Sequence, residues 1–359
     1  MHFGLSEEQE LLQETVRSFV AGECPPTRLR QLFDACQGHD PALWKGLAEV
    51  GVTGVVVPEE HGGAGLEVLD LALVSEELGA GCLPGPFLGH SLACLAIAKG
   101  GDAGQRERWL PRLASGESVG TVALAEARDA WDPTEWKLGV EGGSAAGSKE
   151  YVPFAELADV IVVGTAGGGL AVVERGAAGL RVEPVAGIDR TRPVGRLVFD
   201  ATPAEALSDG RSASSALRDA GLSAAAADAF GAAWALTRMS VEYARTREQF
   251  GMAIAQFQAV KHQLADMATS VEPARGLFWY AGYACDHLAH EAPREAAIAK
   301  AHITDRAADV AREAVEIYGG IGFTWECDVQ IWLKRVLFDR AFLGTPVQHR
   351  ARSAALGGW

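Results

Sequence analysis

The chain has 359 residues, of which 48% are hydrophobic and 22% charged, with a formal net charge of −15. That length allows one large core or two to three smaller ones, and the composition excludes general disorder. The acidity argues against nucleic acid or an anionic membrane as partner. No apolar run reaches the roughly 18 residues of a membrane span, and Met1-His-Phe-Gly-Leu-Ser-Glu-Glu8 lacks the regions of a signal peptide, so a cytoplasmic location is expected. The six cysteines are scattered without a Cys-x-x-Cys pair and read as reduced thiols. The histidines show no ligand spacing, so no metal site is expected.

A helix opens at Leu5-Ser-Glu-Glu-Gln-Glu10, with Ser6 as N-cap, Gln9 three residues on and glutamates at the positive helix end. Cys24-Pro-Pro26 ends it. Helices are predicted over about 41–50, 69–78 and 105–113, which makes the first 116 residues an α-helical domain. From 117 to 210 the pattern changes to short β-prone runs: Thr121–Ala125, Trp136–Val140, Val160–Val163, Leu170–Val173, Leu180–Val182 and Arg196–Phe199. Turns rich in Gly, Pro and Asp separate these runs, and Gly167-Gly-Gly169 is one of them. The spacing predicts a compact barrel or sandwich. From 211 to 359 the helical pattern returns, expected as a four-helix bundle that no β run interrupts, with helices over about 224–243 and 294–317. Three blocks in the order helical, β, helical are not a βαβ alternation, so a dinucleotide-binding parallel sheet is excluded. The chain shows no internal repeat, Walker sequence or Gly-x-Gly-x-x-Gly after a strand.

Two stretches carry chemistry. In Tyr243-Ala-Arg-Thr-Arg-Glu-Gln-Phe-Gly-Met-Ala-Ile-Ala-Gln-Phe-Gln258, Gly251 can stop a helix, Arg247 offers a fork suited to phosphate, and Gln249 and Gln258 offer amides. Ala314-Val-Glu-Ile-Tyr-Gly-Gly-Ile-Gly-Phe-Thr-Trp-Glu326 closes a second helix on three glycines. Alone, either stretch is an ordinary helix end.

Together, and with Leu5-Ser-Glu-Glu-Gln9, Val57-Pro-Glu-Glu-His-Gly-Gly63, Ser75-Glu-Glu-Leu78 and Leu343-Gly-Thr345, they make nearly the whole chain resemble the acyl-CoA dehydrogenases. The resemblance implies FAD-dependent α,β-desaturation of an acyl-CoA thioester, with an electron-transfer flavoprotein as acceptor. It also implies roles for residues. Arg247 and Gln249 match positions that hold the FAD diphosphate, and Phe250 and Gln258 match positions lining the dinucleotide. Glu316, Ile317, Gly319 and Gly320 match a turn that meets FAD across a subunit interface. Leu124 and Ala125 match the strand segment whose backbone meets the flavin ring, and Thr345 belongs to the C-terminal part of the site.

The chain also departs from that family. Removing an α-proton needs a carboxylate held close and partly desolvated. Where the family commonly places a glutamate, before Gly344-Thr345, stands Leu343. Its alternative position falls at about Gly221, and no glutamate lies between Glu205 and Glu242. Asp228 is a candidate base if burial raises its pKa, and otherwise a structural or solvated aspartate. Asp219 reads as a charge near a helix N-terminus. Tyr151-Val-Pro153 replaces Trp-x-Thr, Ala125-Glu-Ala127 replaces Thr-Glu-Pro, and Glu316 replaces a glutamine. The combination resembles the short actinobacterial-type members that pair with a related subunit in α2β2 complexes acting on steroid side chains. Active and catalytically silent readings both stay open, as does flavin-dependent oxygen chemistry or acyl-ACP desaturation.

Overall fold

The computed structural model describes residues 4–36 and 38–359. The first block contains α1 (Glu7–Glu23), α2 (Pro26–Asp34), α3 (Pro41–Glu49), α4 (Val68–Ala80), α5 (Phe87–Gly100) and α6 (Ala103–Ala114). Local chemistry sets several of the boundaries. Ser6 Oγ accepts from Gln9 N–H at 3.2 Å while Gln9 Oε1 accepts from Ser6 N–H at 3.1 Å, the reciprocal cap that the sequence predicts. Pro25-Pro26 stops α1 and Pro26 then opens α2, because a first-turn position needs no N–H. Helices α2 and α5 lie outside the predicted elements. Nearly every residue of α5 is buried, so it lacks the polar face that marks a surface helix in sequence.

The middle block contains β1 (Gly120–Ala123), β2 (Gly139–Glu141), β3 (Ser144–Pro153), β4 (Val160–Thr165), β5 (Gly169–Glu174), β6 (Leu180–Val185), β7 (Val194–Pro203) and β8 (Glu205–Ala206). They form two four-stranded sheets, ordered β1-β4-β5-β8 and β2-β3-β7-β6, with β1 parallel to β4 and the other pairs antiparallel. Ile161, Val163 and Val173 of one sheet share a core with Val152, Leu197 and Phe199 of the other. The arrangement is sandwich-like; no closed barrel forms among the described residues. Strand β3 is absent from the predicted runs because Ser-Ala-Ala-Gly-Ser-Lys lacks apolar alternation, and irregular register breaks it at Ala145/Gly147 and Lys149/Val152.

The last block contains α7 (Gly210–Thr246), β9 (Glu248–Gln249), β10 (Met252–Ala253), α8 (Gln258–Val271), α9 (Arg275–His287), α10 (Ala292–Tyr318), α11 (Val329–Ala341) and α12 (Pro346–Leu356). The short β9–β10 hairpin interrupts what the sequence predicts to be wholly helical. Helix α7 is the axis of the molecule, with Asp219 to Ala233 buried throughout. Its small residues let α4 approach closely. A Cβ on Gly231 would stand 1.9 Å from Glu76 O, and one on Gly79 would stand 2.1 Å from Asp228 O. Among the described residues, no helix is long and apolar enough to cross a membrane.

A buried ionic network fastens the three blocks together. Arg335, on α11, is fully buried; its Nε meets Asp189 Oδ2 at 3.1 Å, its Nη1 meets Asp228 Oδ2 at 3.3 Å, and its Nη2 donates to Leu83 O at 2.8 Å. Arg192, from the loop before β7, donates to both Asp228 and Asp339. Removing one member leaves the others charged and unpaired in a dry environment, at a cost of roughly 3–5 kcal/mol. Arg335→Met is therefore expected to lower the unfolding free energy by about 3–5 kcal/mol, measured by urea unfolding monitored by circular dichroism.

Candidate functional site

The sequence-derived site residues fall into two groups. In the first, Tyr243 near the end of α7 stacks on Tyr318 at the end of α10, with ring centroids 4.0 Å apart and planes at 10°. Tyr243 Oη donates to Tyr318 O at 3.4 Å. This contact brings the β9–β10 hairpin beside the glycine turn, so Arg247, Gln249, Phe250 and Gln258 share one end of the bundle with Glu316, Ile317, Gly319 and Gly320. The hairpin turns on Phe250 and Gly251, both left-handed, and leaves the Phe250 ring 90% exposed. Arg245 pairs with Glu242 at 2.8 Å, as its helical surface position predicts. No carboxylate lies within ion-pair reach of Arg247 among the described residues. An exposed, unpaired guanidinium beside an exposed phenyl ring suits a dinucleotide diphosphate and its flanking rings. Glu316 is exposed on the same end and accepts from Gln263 at 3.4 Å.

The second group surrounds the turn between α11 and α12. Leu343 takes a left-handed conformation (φ 62°), followed by Gly344 (φ 104°). The turn is gripped from within. Fully buried Lys300, on α10, donates to Phe342 O at 2.7 Å and Gly344 O at 3.2 Å, and also to Asp339 O. His349 Nε2 contacts Leu343 O at 2.9 Å, and Thr345 caps α12 through Gln348. With three successive carbonyls engaged, the Leu343 N–H donates to no protein acceptor among the described residues. The Leu343 side chain meets Gly221 of α7: a Cβ on Gly221 would stand 2.5 Å from Leu343 Cδ1. The two positions at which the sequence reading looks for a glutamate therefore converge on one spot, and that spot is hydrocarbon. Beside it lies a cavity of about 350 Å³ lined by Leu124, Trp131, Trp136, Leu217, Arg218 and Leu343, among others.

Leu124 and Ala125 border this second group, but their carbonyls are engaged within the chain. Lys149 Nζ donates to Leu124 O at 3.2 Å and to Glu126 at 2.7 Å, and Glu150 N–H donates to Ala125 O at 2.9 Å. About 26 residues of α7 separate Gly221 from Arg247, roughly 39 Å at 1.5 Å per residue. One dinucleotide cannot bridge both groups on a single chain.

Asp228 does not behave as the candidate base requires. Burial works to raise its pKa, but the Arg192 and Arg335 guanidinium groups outweigh that and hold its carboxyl below the usual range. The raised group is its neighbour Asp339, through burial and the Asp228 charge. Asp219 also departs from its predicted place. It stands in the third turn of α7, 5% exposed and paired with Arg218 at 2.9 Å, and burial raises its pKa. Sequence reasoning missed Lys300, His349, Trp131 and the Arg192–Arg335 pair. Only Lys300 left a trace, as a lone cation on the Ala296–Ile303 apolar face of α10.

A sandwich between two helical blocks, with a glycine turn beside an arginine-bearing hairpin, defines a flavoprotein dehydrogenase architecture. Residues 6–117 match the description "Acyl-CoA dehydrogenase, N-terminal domain" and residues 211–355 match "Acyl-CoA dehydrogenase, C-terminal domain". The chain belongs to the acyl-CoA dehydrogenase family, FAD-dependent oxidoreductases acting on CH–CH bonds. It is 33% identical over 352 residues to acyl-CoA dehydrogenase IpdE2 of Mycolicibacterium smegmatis, covering 98% of this chain and 99% of that one. It is 30% identical to the short-chain-specific acyl-CoA dehydrogenase of Clostridium acetobutylicum, covering 96% of each. A steroid acyl-CoA dehydrogenase variant, Tcur3481–Tcur3483, superposes with a TM-score of 0.91 at 31% identity over 98% of each chain. The ChsE4–ChsE5 complex of Mycobacterium tuberculosis gives 0.91 at 26% identity, covering 100% of this chain and 99% of that one.

Two measurements follow from this geometry. Asp228→Asn is expected to lower stability yet leave the pH profile of turnover by the folded assembly unchanged, whereas a catalytic base would shift that profile. Burial first, then the nearby Lys300, pushes His349 down to about 4. An unfolded histidine takes up its proton near 6.5, so the unfolded state binds more protons between about pH 6.5 and pH 4. Stability present above that window is lost as pH falls through it. His349→Gln is expected to flatten this acid loss, read as the difference in Tm between about pH 7 and pH 4.5.

Proposed function

We propose that this chain is the base-lacking subunit of a heteromeric acyl-CoA dehydrogenase acting on a steroid-derived acyl-CoA, with a related partner subunit supplying the proton acceptor. The convergence of Gly221 and Leu343 carries this reading. An α-C–H beside a thioester is a weak acid, and its removal needs a desolvated carboxylate within hydrogen-bond reach. At the spot where either family position would deliver one, the chain presents Leu343 and a bare glycine. Of the two acids lining the adjoining cavity, Asp132 is committed to Arg352 at 2.8 Å, and Glu135 is exposed to water, where nothing desolvates it, and accepts from Asp132 N–H at 3.4 Å; the buried Asp219 is committed to Arg218 at 2.9 Å. The steroid and heteromeric character is supported by likeness to the steroid acyl-CoA dehydrogenase variant and to the two-component complex.

The role proposed for the chain's own residues is to hold cofactor across an interface. Arg247 would pair with the FAD diphosphate, Phe250 and Gln258 would line the dinucleotide, and Gln249, Ile317, Gly319 and Gly320 would contact it from the hairpin and the glycine turn. Glu316 sets a negative charge beside that anion and weakens the site relative to a glutamine. Leu124, Ala125 and Thr345 are proposed to border the flavin ring at the other end of the chain. FAD, when bound, accepts the hydride equivalent from Cβ. An electron-transfer flavoprotein is the proposed acceptor.

Expressed alone, the chain is expected to show no desaturation of an acyl-CoA in a dye-reduction assay, and to gain it only with its partner. Normal turnover by the isolated chain would sink the proposal. Within the assembly, Arg247→Gln is expected to lower the flavin-to-protein absorbance ratio by half or more, without changing the far-ultraviolet circular dichroism.

A further inference from the structure

The loop between β1 and β2 roofs the cavity beside Leu343. Its first turn is closed by Glu126 N–H donating to Ala130 O at 3.1 Å, and it holds Arg128 and Asp129 at φ 66° and 56°. Two consecutive non-glycine residues in the left-handed region persist only where the surroundings over-determine them. Here the surroundings do so. Asp132 meets Arg352 of α12 at 2.8 Å and Arg218 of α7 at 3.8 Å, and Gln348 Nε2 donates to Asp129 O at 3.4 Å. The loop is strapped to both helices that flank the cavity.

The strap seats one side chain. The Trp131 indole lies near-parallel to Tyr151, with centroids 6.5 Å apart at 21°, and edge-on to Phe342 at 5.5 Å and 75°. Phe342 is the residue before Leu343, so the indole sits directly over the turn where a thioester would be oriented. About 350 Å³ remains beneath it. Pockets that enclose a drug-sized ligand run from roughly 300 to 1,000 Å³. The remaining space is at the bottom of that range.

We propose that Trp131, held down by the Asp132 ion pairs, closes this chain's own cavity to a CoA thioester. The chain is then silenced twice, by the missing carboxylate and by the indole roof, and an assembly containing it binds acyl-CoA only on its other subunit. This inference rests on the base-lacking reading but concerns binding, not proton transfer.

The test is equilibrium dialysis of radiolabelled butyryl-CoA against the complex that co-purifies with this chain, counted per copy of the chain. Trp131→Gly is expected to add about one bound butyryl-CoA per copy, while Trp131→Phe, which keeps an aromatic roof, binds as wild type. Asp132→Asn keeps the indole but breaks its strap, and is expected to expose the same additional site at lower affinity. It carries the test if circular dichroism shows the glycine variant unfolded. Unchanged stoichiometry in the folded open variants would overturn the proposal, and so would a gain in the phenylalanine variant equal to that in glycine. Turnover by the isolated wild-type chain is a separate result: it would remove the base-lacking reading, whereas an unchanged binding count removes only the roof.

Discussion

Arg335 and Arg192 are the constraint on which the rest of this structure depends. Two guanidinium groups and the carboxyls of Asp189, Asp228 and Asp339 meet where the β block touches α7 and α11, with almost no water to screen them. Charges in such a place persist only when each has its partner. The network therefore requires the loop before β7, the centre of α7 and the middle of α11 to arrive together. Hydrocarbon packing alone would tolerate small slips between these elements. Paired charges do not, because a displacement of an ångström or two leaves a buried ion without its partner.

That precision is inherited by the turn between α11 and α12. Asp339 lies in the network while its carbonyl accepts from Lys300, and Lys300 goes on to hold the carbonyls of Phe342 and Gly344. The position of Leu343 over Gly221 is thus fixed by a chain of polar contacts beginning in the domain seam. The scaffold holds this turn firmly and presents a leucine side chain from it toward Gly221. The first group, at the far end of α7, is open to solvent and rich in exposed apolar surface (Phe250, Ile321, Phe323).

Much of the fold was legible because its signals are short-range. The Ser6–Gln9 cap, the Pro25-Pro26 break and the Gly167–Gly168 turn each depend on residues within a few positions of one another. Elements were missed where such signals are weak. Helix α5 has no polar face, β3 has no alternation, and the two-residue strands of the hairpin are too short to show a period. The arginine hairpin and the glycine turn could be read as belonging together only by resemblance, and the Tyr243–Tyr318 stack supplies the physical link.

The sequence by itself determined the helical–β–helical order, the family and the absence of a carboxylate at either customary position, since these follow from residue identity and near-neighbour chemistry. Only the tertiary structure decided what Asp228 is. Its partners stand 36 and 107 residues away, and without them burial alone predicts a raised pKa instead of a lowered one. The same holds for Gly221 against Leu343 and for Trp131 over Phe342. Whether two side chains meet depends on how long-range packing aligns helices and sheets, and no local pattern carries that information.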